Sequence, residues 1–293
     1  MMQTWKDSLE NCKLCPIECG ANRLNGVGAC GVQGLRIAKF YLHPFEEPCI
    51  SFDKGSGTIF FCGCNLRCAY CQNYEVSRAK RGKEITPLEL VDIFKQLEDM
   101  GADNVSLVTP SHVIPYLEEA FRLYRPKIPV VYNSGGYEKI DTLKRIDEYV
   151  DIYLPDIKFY SSSLSKRYLG KEDYFDVASE AISFMAKKPL SMTDKGKMLS
   201  GCIVRHLVMP LCTADSKKLL RWFVNELPSD THLSLMSQYT PFGNIEKFPE
   251  LNRKITAREY NAVVDEAVNL GIEKLFLQER KSSDTEYIPA WDF

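Results

Sequence analysis

The sequence predicts an α/β protein built on a parallel sheet, with a cysteine-rich cap at its N-terminal end. Three observations predict it. From about residue 56 onward, seven short apolar runs alternate with segments of helical period. Those runs are apolar nearly throughout, as strands covered on both faces are. Nine of the eleven cysteines fall within the first 71 residues, and the first ~50 residues lack the alternation. Six or seven βα units in series, joined by right-handed crossovers, make either a doubly wound sheet or a barrel.

The cap, residues 1–50, opens with Cys12-x2-Cys15-x3-Cys19 followed by Cys30, among Gly20, Gly26, Gly28 and Gly31. Four thiols with glycines for tight loops fit a closed site, either structural zinc or an auxiliary iron–sulfur cluster. In HPFEEPCISF, the residues His43, Glu46 and Glu47 read as a solvated loop, with a place on a pocket rim as the alternative. Residues 51–293 form one unit, because no Pro/Gly-rich linker divides them.

Strands are predicted at 57–63, 103–110, 127–134, 151–159, 201–210, 232–241 and 273–279. Thr86-Pro87-Leu88-Glu89 is a capping box with Pro at the first helical position, and Gly101 stops that helix. Ser111 is placed to cap HVIPYLEEAFRLY, and Asp215 or Ser216 to cap KKLLRWFVNEL. Thr256 opens a helix that stops at Gly271. The polar stretch 191–201 reads as a mobile insertion.

Composition bounds the function. Lys+Arg 37 against Asp+Glu 39 leaves a net charge of -2, which argues against a coat on nucleic acid. The first residues lack the pattern of a signal peptide, and no apolar run approaches the ~18–20 residues that cross a bilayer. A cytoplasmic protein without a membrane anchor is expected, and an odd cysteine count there points to metal, not disulfides. Cys202 and Cys212 carry no spacing signal and read as small buried hydrophobes.

The central motif is Cys64-Asn65-Leu66-Arg67-Cys68-Ala69-Tyr70-Cys71, directly after the strand GTIFF. Three thiolates on one loop hold three corners of a [4Fe–4S] cluster and leave the fourth iron without a protein ligand. An open metal position is what a catalytic site needs. Two alternatives compete: a closed zinc site completed by Cys62, and three buried structural thiols. A zinc site here would make the protein a metal-organised binding module instead of an enzyme.

The run C-x3-C-x2-C with an aromatic before the last cysteine resembles the signature of the radical S-adenosylmethionine (SAM) superfamily. The longer string GTIFFCGCNLRCAYCQN is similar to the branch around pyruvate formate-lyase activating enzymes, in particular their uncharacterised relatives. The resemblance implies a partial (β/α)6 barrel, a [4Fe–4S] cluster on Cys64, Cys68 and Cys71 with Tyr70 beside it, and SAM chelating the open iron. It further implies reductive cleavage of SAM to a 5′-deoxyadenosyl radical that abstracts a substrate hydrogen. An electron donor such as flavodoxin or ferredoxin is implied as a partner. By the same resemblance the first expectation for the substrate is a glycine-bearing loop of a partner protein, as in activation of a glycyl radical enzyme, with a peptide or a small molecule as the alternative.

By the same resemblance, SAM contacts fall at the C-terminal ends of the strands. Ser111 or His112 stands where relatives carry a Gly-Gly-Glu-Pro stretch that binds the SAM amino group. Asn133-Ser134-Gly135-Gly136 and Asp156-Ile157-Lys158 correspond to stretches lining the SAM site, and Arg205 to an arginine that holds a carboxylate or pairs with a neighbouring acid. Gln238, Tyr239, Gln278, Glu279 and Arg280 end the last two strands as candidate substrate contacts.

Overall fold

The computed structural model describes residues 6–78, 82–242 and 245–278. Its strands are β1 (Arg36–His43), β2 (Ser56–Phe61), β3 (Lys83–Glu84), β4 (Val105–Val108), β5 (Val130–Ser134), β6 (Ile152–Pro155), β7 (Ser191–Met192), β8 (Met198–Leu207), β9 (His232–Met236) and β10 (Leu275–Leu277). They lie in the order β10-β9-β8-β6-β5-β4-β2-β1-β3, with β7 on β8. From β2 to β10 the main strands pair in parallel and in chain order. That is barrel winding. A doubly wound sheet would reverse its order at a switch point, and none occurs here. The barrel stays open because β1 pairs antiparallel with β2 at one edge, while β10 ends the other. Strand β1 lies where the sequence reading expected irregular chain.

The helices are α1 (Asp7–Glu10), α2 (Tyr74–Arg78), α3 (Pro87–Asp99), α4 (Ile114–Leu123), α5 (Ile140–Ile146), α6 (Ser162–Leu169), α7 (Tyr174–Met185), α8 (Thr213–Glu226) and α9 (Ala257–Asn269). Both Thr86 and Thr256 close the expected capping boxes, each with the glutamate three residues on. Alternate strand residues such as Val130, Tyr132, Tyr153 and Val204 pack against the helices in the main core. Their neighbours Val131, Ile152, Leu154 and Ile203 face the concave side, where Cys49, Ile50 and Met198 cover them.

Cys49 and Ile50 belong to the loop between β1 and β2, which crosses the concave face. Met198 donates its N–H to the Cys49 carbonyl at 2.8 Å, and Asn104 Nδ2 donates to the Ile50 carbonyl at 2.7 Å. One oxygen of Asp103 then accepts the N–H groups of Phe52, Asp53, Lys54 and Gly55, while Lys197 pairs with the other at 2.7 Å. Lys197 sits in a short hairpin of β7 against β8, so residues 191–201 are not a loose insertion.

Two caps differ from expectation. Helix α4 begins at Ile114 without a side-chain cap, because the Ser111 hydroxyl instead donates to Glu138 at 2.5 Å. Asp215 and Ser216 lie inside α8, and Asp215 accepts the N–H groups of Tyr160 and Ser161 at the start of α6. Sequence spacing identifies a cap-forming residue but not which helix end it will meet.

Glu138 is buried behind β5 with Ser111 and Tyr132, and burial pushes its carboxyl up to about 7 against the opposing hydroxyl bonds. Between pH ~4.5 and ~7 the native state therefore keeps a proton that the unfolded state has released. Stability should fall as pH rises through that window, by about 3 kcal/mol for this group. Urea unfolding at pH 5 and pH 8 checks it. Glu138→Gln, neutral at both, should lose correspondingly less stability between them; parallel losses would remove Glu138 as the cause.

Candidate active site

A cavity of about 230 Å³ lies at the C-terminal ends of the parallel strands. Cys64, Cys68 and Cys71 all line it. The loop that carries them is fastened from outside: Asn65 Nδ2 donates to the Tyr137 carbonyl at 2.6 Å, and Ala69 N–H to the Tyr168 carbonyl at 2.8 Å. The Leu66 amide approaches Cys64 Sγ at 3.4 Å, and Cys71 Sγ lies 3.4 Å from Ser77 Oγ. Tyr70 lines the cavity too, edge-on to Phe159 and Tyr239.

Burial pushes the Cys68 thiol up to about 11, and it pushes Cys64 further, where Cys68 and Cys71 add to the effect. Thiols in this state must lose their protons to solvent as a metal binds them. Cys62 takes no part. It is fully buried and packs with Cys30, Val32 and Val76, so the four-cysteine zinc site of the sequence reading is not assembled. Among the described residues, no three His, Cys, Asp or Glu side chains converge on one metal-ion position. Three thiols spread along a cavity wall, with open space before them, fit the separate corners of a cluster.

An ionic network lines the same cavity, close enough for Asp156 and Lys158 to act on Cys68. Asp156 follows β6 and pairs with Lys158 at 2.8 Å and with Arg205 of β8 at 2.9 Å. Arg205 also meets Glu46 at 3.2 Å and donates to Asn133 Oδ1 at 2.7 Å. Arg205 thus pairs with neighbouring acids, one of the two roles the sequence allowed. Burial by itself would raise the Asp156 carboxyl, but Arg205 and Lys158 outweigh it and hold it below the usual range.

Glu46 and Glu47 overturn the solvated-loop reading. The crossing loop carries both into the cavity wall together with His43. Glu47 is buried, one of its carboxylate oxygens has no hydrogen-bond partner, and burial pushes its pKa up to about 7. Their sequence signal was slight: paired glutamates between prolines do not by themselves announce burial.

Of the two glycines after β5, Gly136 is required by a backbone contact, whereas the neighbour of Gly135 is a side-chain tip that can shift. A Cβ on Gly135 would meet Leu66 of the cysteine loop at 2.7 Å, and one on Gly136 would meet the Asp156 carbonyl at 2.5 Å, with φ at +80°. Thr109, ending β4 on the cavity, holds a left-handed φ of 59°, a strain of the kind that clusters at functional sites. Ser134 lines the cavity, and its hydroxyl accepts the Gly136 N–H at 3.2 Å.

Ser111 and His112 do not line the cavity. Ser111 is spent on Glu138, and the His112 ring meets the Cys62 carbonyl at 2.7 Å, deep in the interior. Gln238 and Gln278 line it and bond one another at 3.3 Å. Tyr239 is buried behind them, with its hydroxyl on the Leu251 carbonyl. Glu279 and Arg280 lie outside the described residues. No helix among the described residues is long and apolar enough to cross a membrane.

Residues 58–194 match the family model of the radical SAM superfamily. Over 282 residues the chain is 28% identical to an uncharacterized protein of Methanocaldococcus jannaschii, covering 92% of this chain and 78% of that one. A pyruvate formate-lyase-activating enzyme of Clostridium pasteurianum is 28% identical over 237 residues, 76% of this chain and 91% of the other. Among solved structures, SuiB of Streptococcus suis is similar over 76% of this chain and 47% of its own, with 14% identity and a TM-score of 0.50. HydG, a maturase of the FeFe-hydrogenase, is similar over 73% of this chain and 48% of its own, with 15% identity and a TM-score of 0.52. The chain spans about half the length of these two structures, and the likeness is one of fold.

Proposed function

We propose, from the match of residues 58–194 to the radical SAM family model, that this cavity is where SAM is cleaved and a substrate hydrogen is abstracted. The superfamily works with a [4Fe–4S] cluster and SAM. Held by Cys64, Cys68 and Cys71, a reduced cluster would supply one electron for cleavage of the C–S bond of SAM, giving methionine and a 5′-deoxyadenosyl radical. A small flavin or iron–sulfur protein such as flavodoxin or ferredoxin is the electron donor in this reading.

The observation that carries it is the meeting of Cys64, Cys68 and Cys71 with Asp156, Lys158 and Arg205 around one cavity. The three thiols hold the cluster. Asp156 and Lys158, near Cys68, bind the polar groups of SAM, with Asn133 and Ser134 beside them. Asp156 is the acid placed to meet an ammonium or ribose hydroxyl, since its charge persists at neutral pH. Ser111 and His112, already bonded elsewhere, are left out of that role.

The substrate in this reading is a compact polar molecule. The crossing loop fills the concave face below the site, and Gln238, Gln278 and Glu47 offer polar atoms at the cavity wall. A second reading, activation of a glycyl radical enzyme, is supported by the Clostridium pasteurianum relative. Deuterium transfer decides between them. Reduced, reconstituted enzyme with SAM is offered a fully deuterated cell extract split at ~1 kDa. Label in 5′-deoxyadenosine from the small fraction supports the compact substrate; label from the protein fraction alone supports the activase.

A further inference from the structure

We infer that Cys12, Cys15, Cys19 and Cys30 hold a second metal centre, and that Arg23 is its buried counter-cation. Arg23 is wholly shielded from solvent. Its guanidinium donates to the His112 carbonyl and, at 3.4 Å, to the Gly34 carbonyl, while its Nε is buried with no partner. Among the described residues no carboxylate pairs with it. An isolated buried cation costs several kcal/mol, so something anionic belongs beside it.

The acidic groups that feel its charge are the thiols of Cys12, which also hydrogen-bonds it, and Cys19, and the phenol of Tyr116. Free thiols are mostly neutral at pH 7 and leave the guanidinium uncompensated. Four thiolates on a zinc ion, or on a [4Fe–4S] cluster, carry a net charge of about −2 and supply what is missing.

The backbone is shaped for that role. Left-handed φ angles at Glu18 (44°), Gly20 (64°) and Gly31 (89°) turn the chain sharply beside Cys19 and Cys30. Cys12 and its partners close the turn: Gly20 N–H donates to the Cys12 carbonyl at 3.0 Å, and Cys12 N–H to the Ala21 carbonyl at 3.1 Å. Amides of Leu14 and Ile17 face the sulfurs of Cys12 and Cys15, and those of Ala21 and Ala29 face Cys19. Such N–H groups favour thiolate over thiol. Among the described residues no three of these sulfurs converge on one metal-ion position, which fits the separate corners of a cluster better than a single zinc ion. Cys30 also adjoins the first site, because its carbonyl accepts the Cys64 N–H at 3.0 Å.

The inference does not rest on the reading of the first site, and its test separates the two. The full chain with Cys64→Ala, Cys68→Ala and Cys71→Ala is analysed for zinc, iron and sulfide, as isolated and after anaerobic reconstitution. Retained zinc, or retained iron with sulfide, supports the centre, provided that Cys12→Ala and Cys15→Ala then remove it. Absence of all three overturns it. Should the triple variant not fold, Cys12→Ala/Cys15→Ala in the otherwise natural chain gives the same reading: it must lose metal while keeping the first cluster's absorbance. For Arg23, metal release to a chelator is timed. Arg23→Gln should release it about tenfold faster or more, and Arg23→Lys should restore much of the natural rate. Equal rates in Arg23→Gln and the natural chain would overturn the counter-cation role.

Discussion

Replacing Cys64, Cys68 and Cys71 together by alanine should remove the oxygen-sensitive [4Fe–4S] absorbance and abolish SAM cleavage to 5′-deoxyadenosine. The expected loss is complete within detection, since no other thiol lines the cavity to take over a corner. The fold should persist. The cysteine loop is pinned by Asn65 to Tyr137 and by Ala69 to Tyr168, and the parallel sheet and its core are built without any of the three sulfurs as a cross-link. Iron and sulfide analysis, product chromatography and circular dichroism together read this out. Full SAM cleavage in the triple variant would sink the assignment of the catalytic cluster.

Asp156→Ala should be the most damaging single change in the ionic network. It strands Lys158 without its carboxylate and leaves Arg205 paired with Glu46, with Glu47 as a further acidic neighbour. Removing one member of a buried charge pair costs about 3–5 kcal/mol. The sign with pH follows from the depressed native value. Asp156 contributes fully above the ordinary carboxyl range, and its contribution disappears as pH falls through the lower native value. Natural chain and variant should therefore differ by several kcal/mol at pH 7 and converge in acid. SAM affinity should fall as well, by about 1–3 kcal/mol, or roughly fivefold to 150-fold. A variant as stable as the natural chain at pH 7 would mean that Lys158 and Arg205 find other anions. Unchanged SAM binding would leave Asp156 as an ion-pair residue only.

The part of the site that lies on one loop was legible before any fold was known. Cys64, Cys68 and Cys71 are seven residues apart from first to last, so their spacing alone places three sulfurs together. The Thr86 and Thr256 capping boxes were legible for the same reason, since each is closed within four residues. Asp156 and Lys158, two apart at a strand end, could be recognised as paired or ligand-bound, and the structure pairs them.

The residues that were misread depend on distant partners. Glu46 looked solvated because nothing near it in sequence pairs with it; Asn133 donates a hydrogen bond to it and Arg205 neutralises it, 87 and 159 positions later. Ser111 looked like a cap because Glu138 is 27 residues on. Arg23 drew no attention, since burial of a cation is invisible until the chain packs over it.

The sequence by itself determined the strand–helix alternation, the helix starts at Thr86 and Thr256, and the three-thiol loop. Each is set by contacts within a few residues, where backbone geometry leaves little choice. Tertiary structure decided that the sheet winds as an open barrel, that the β1–β2 loop lines its concave face, and that two acids and an arginine meet across the cavity. A buried charge is stable only where an opposite charge arrives, and which one arrives is fixed by the packing of elements far apart in the chain.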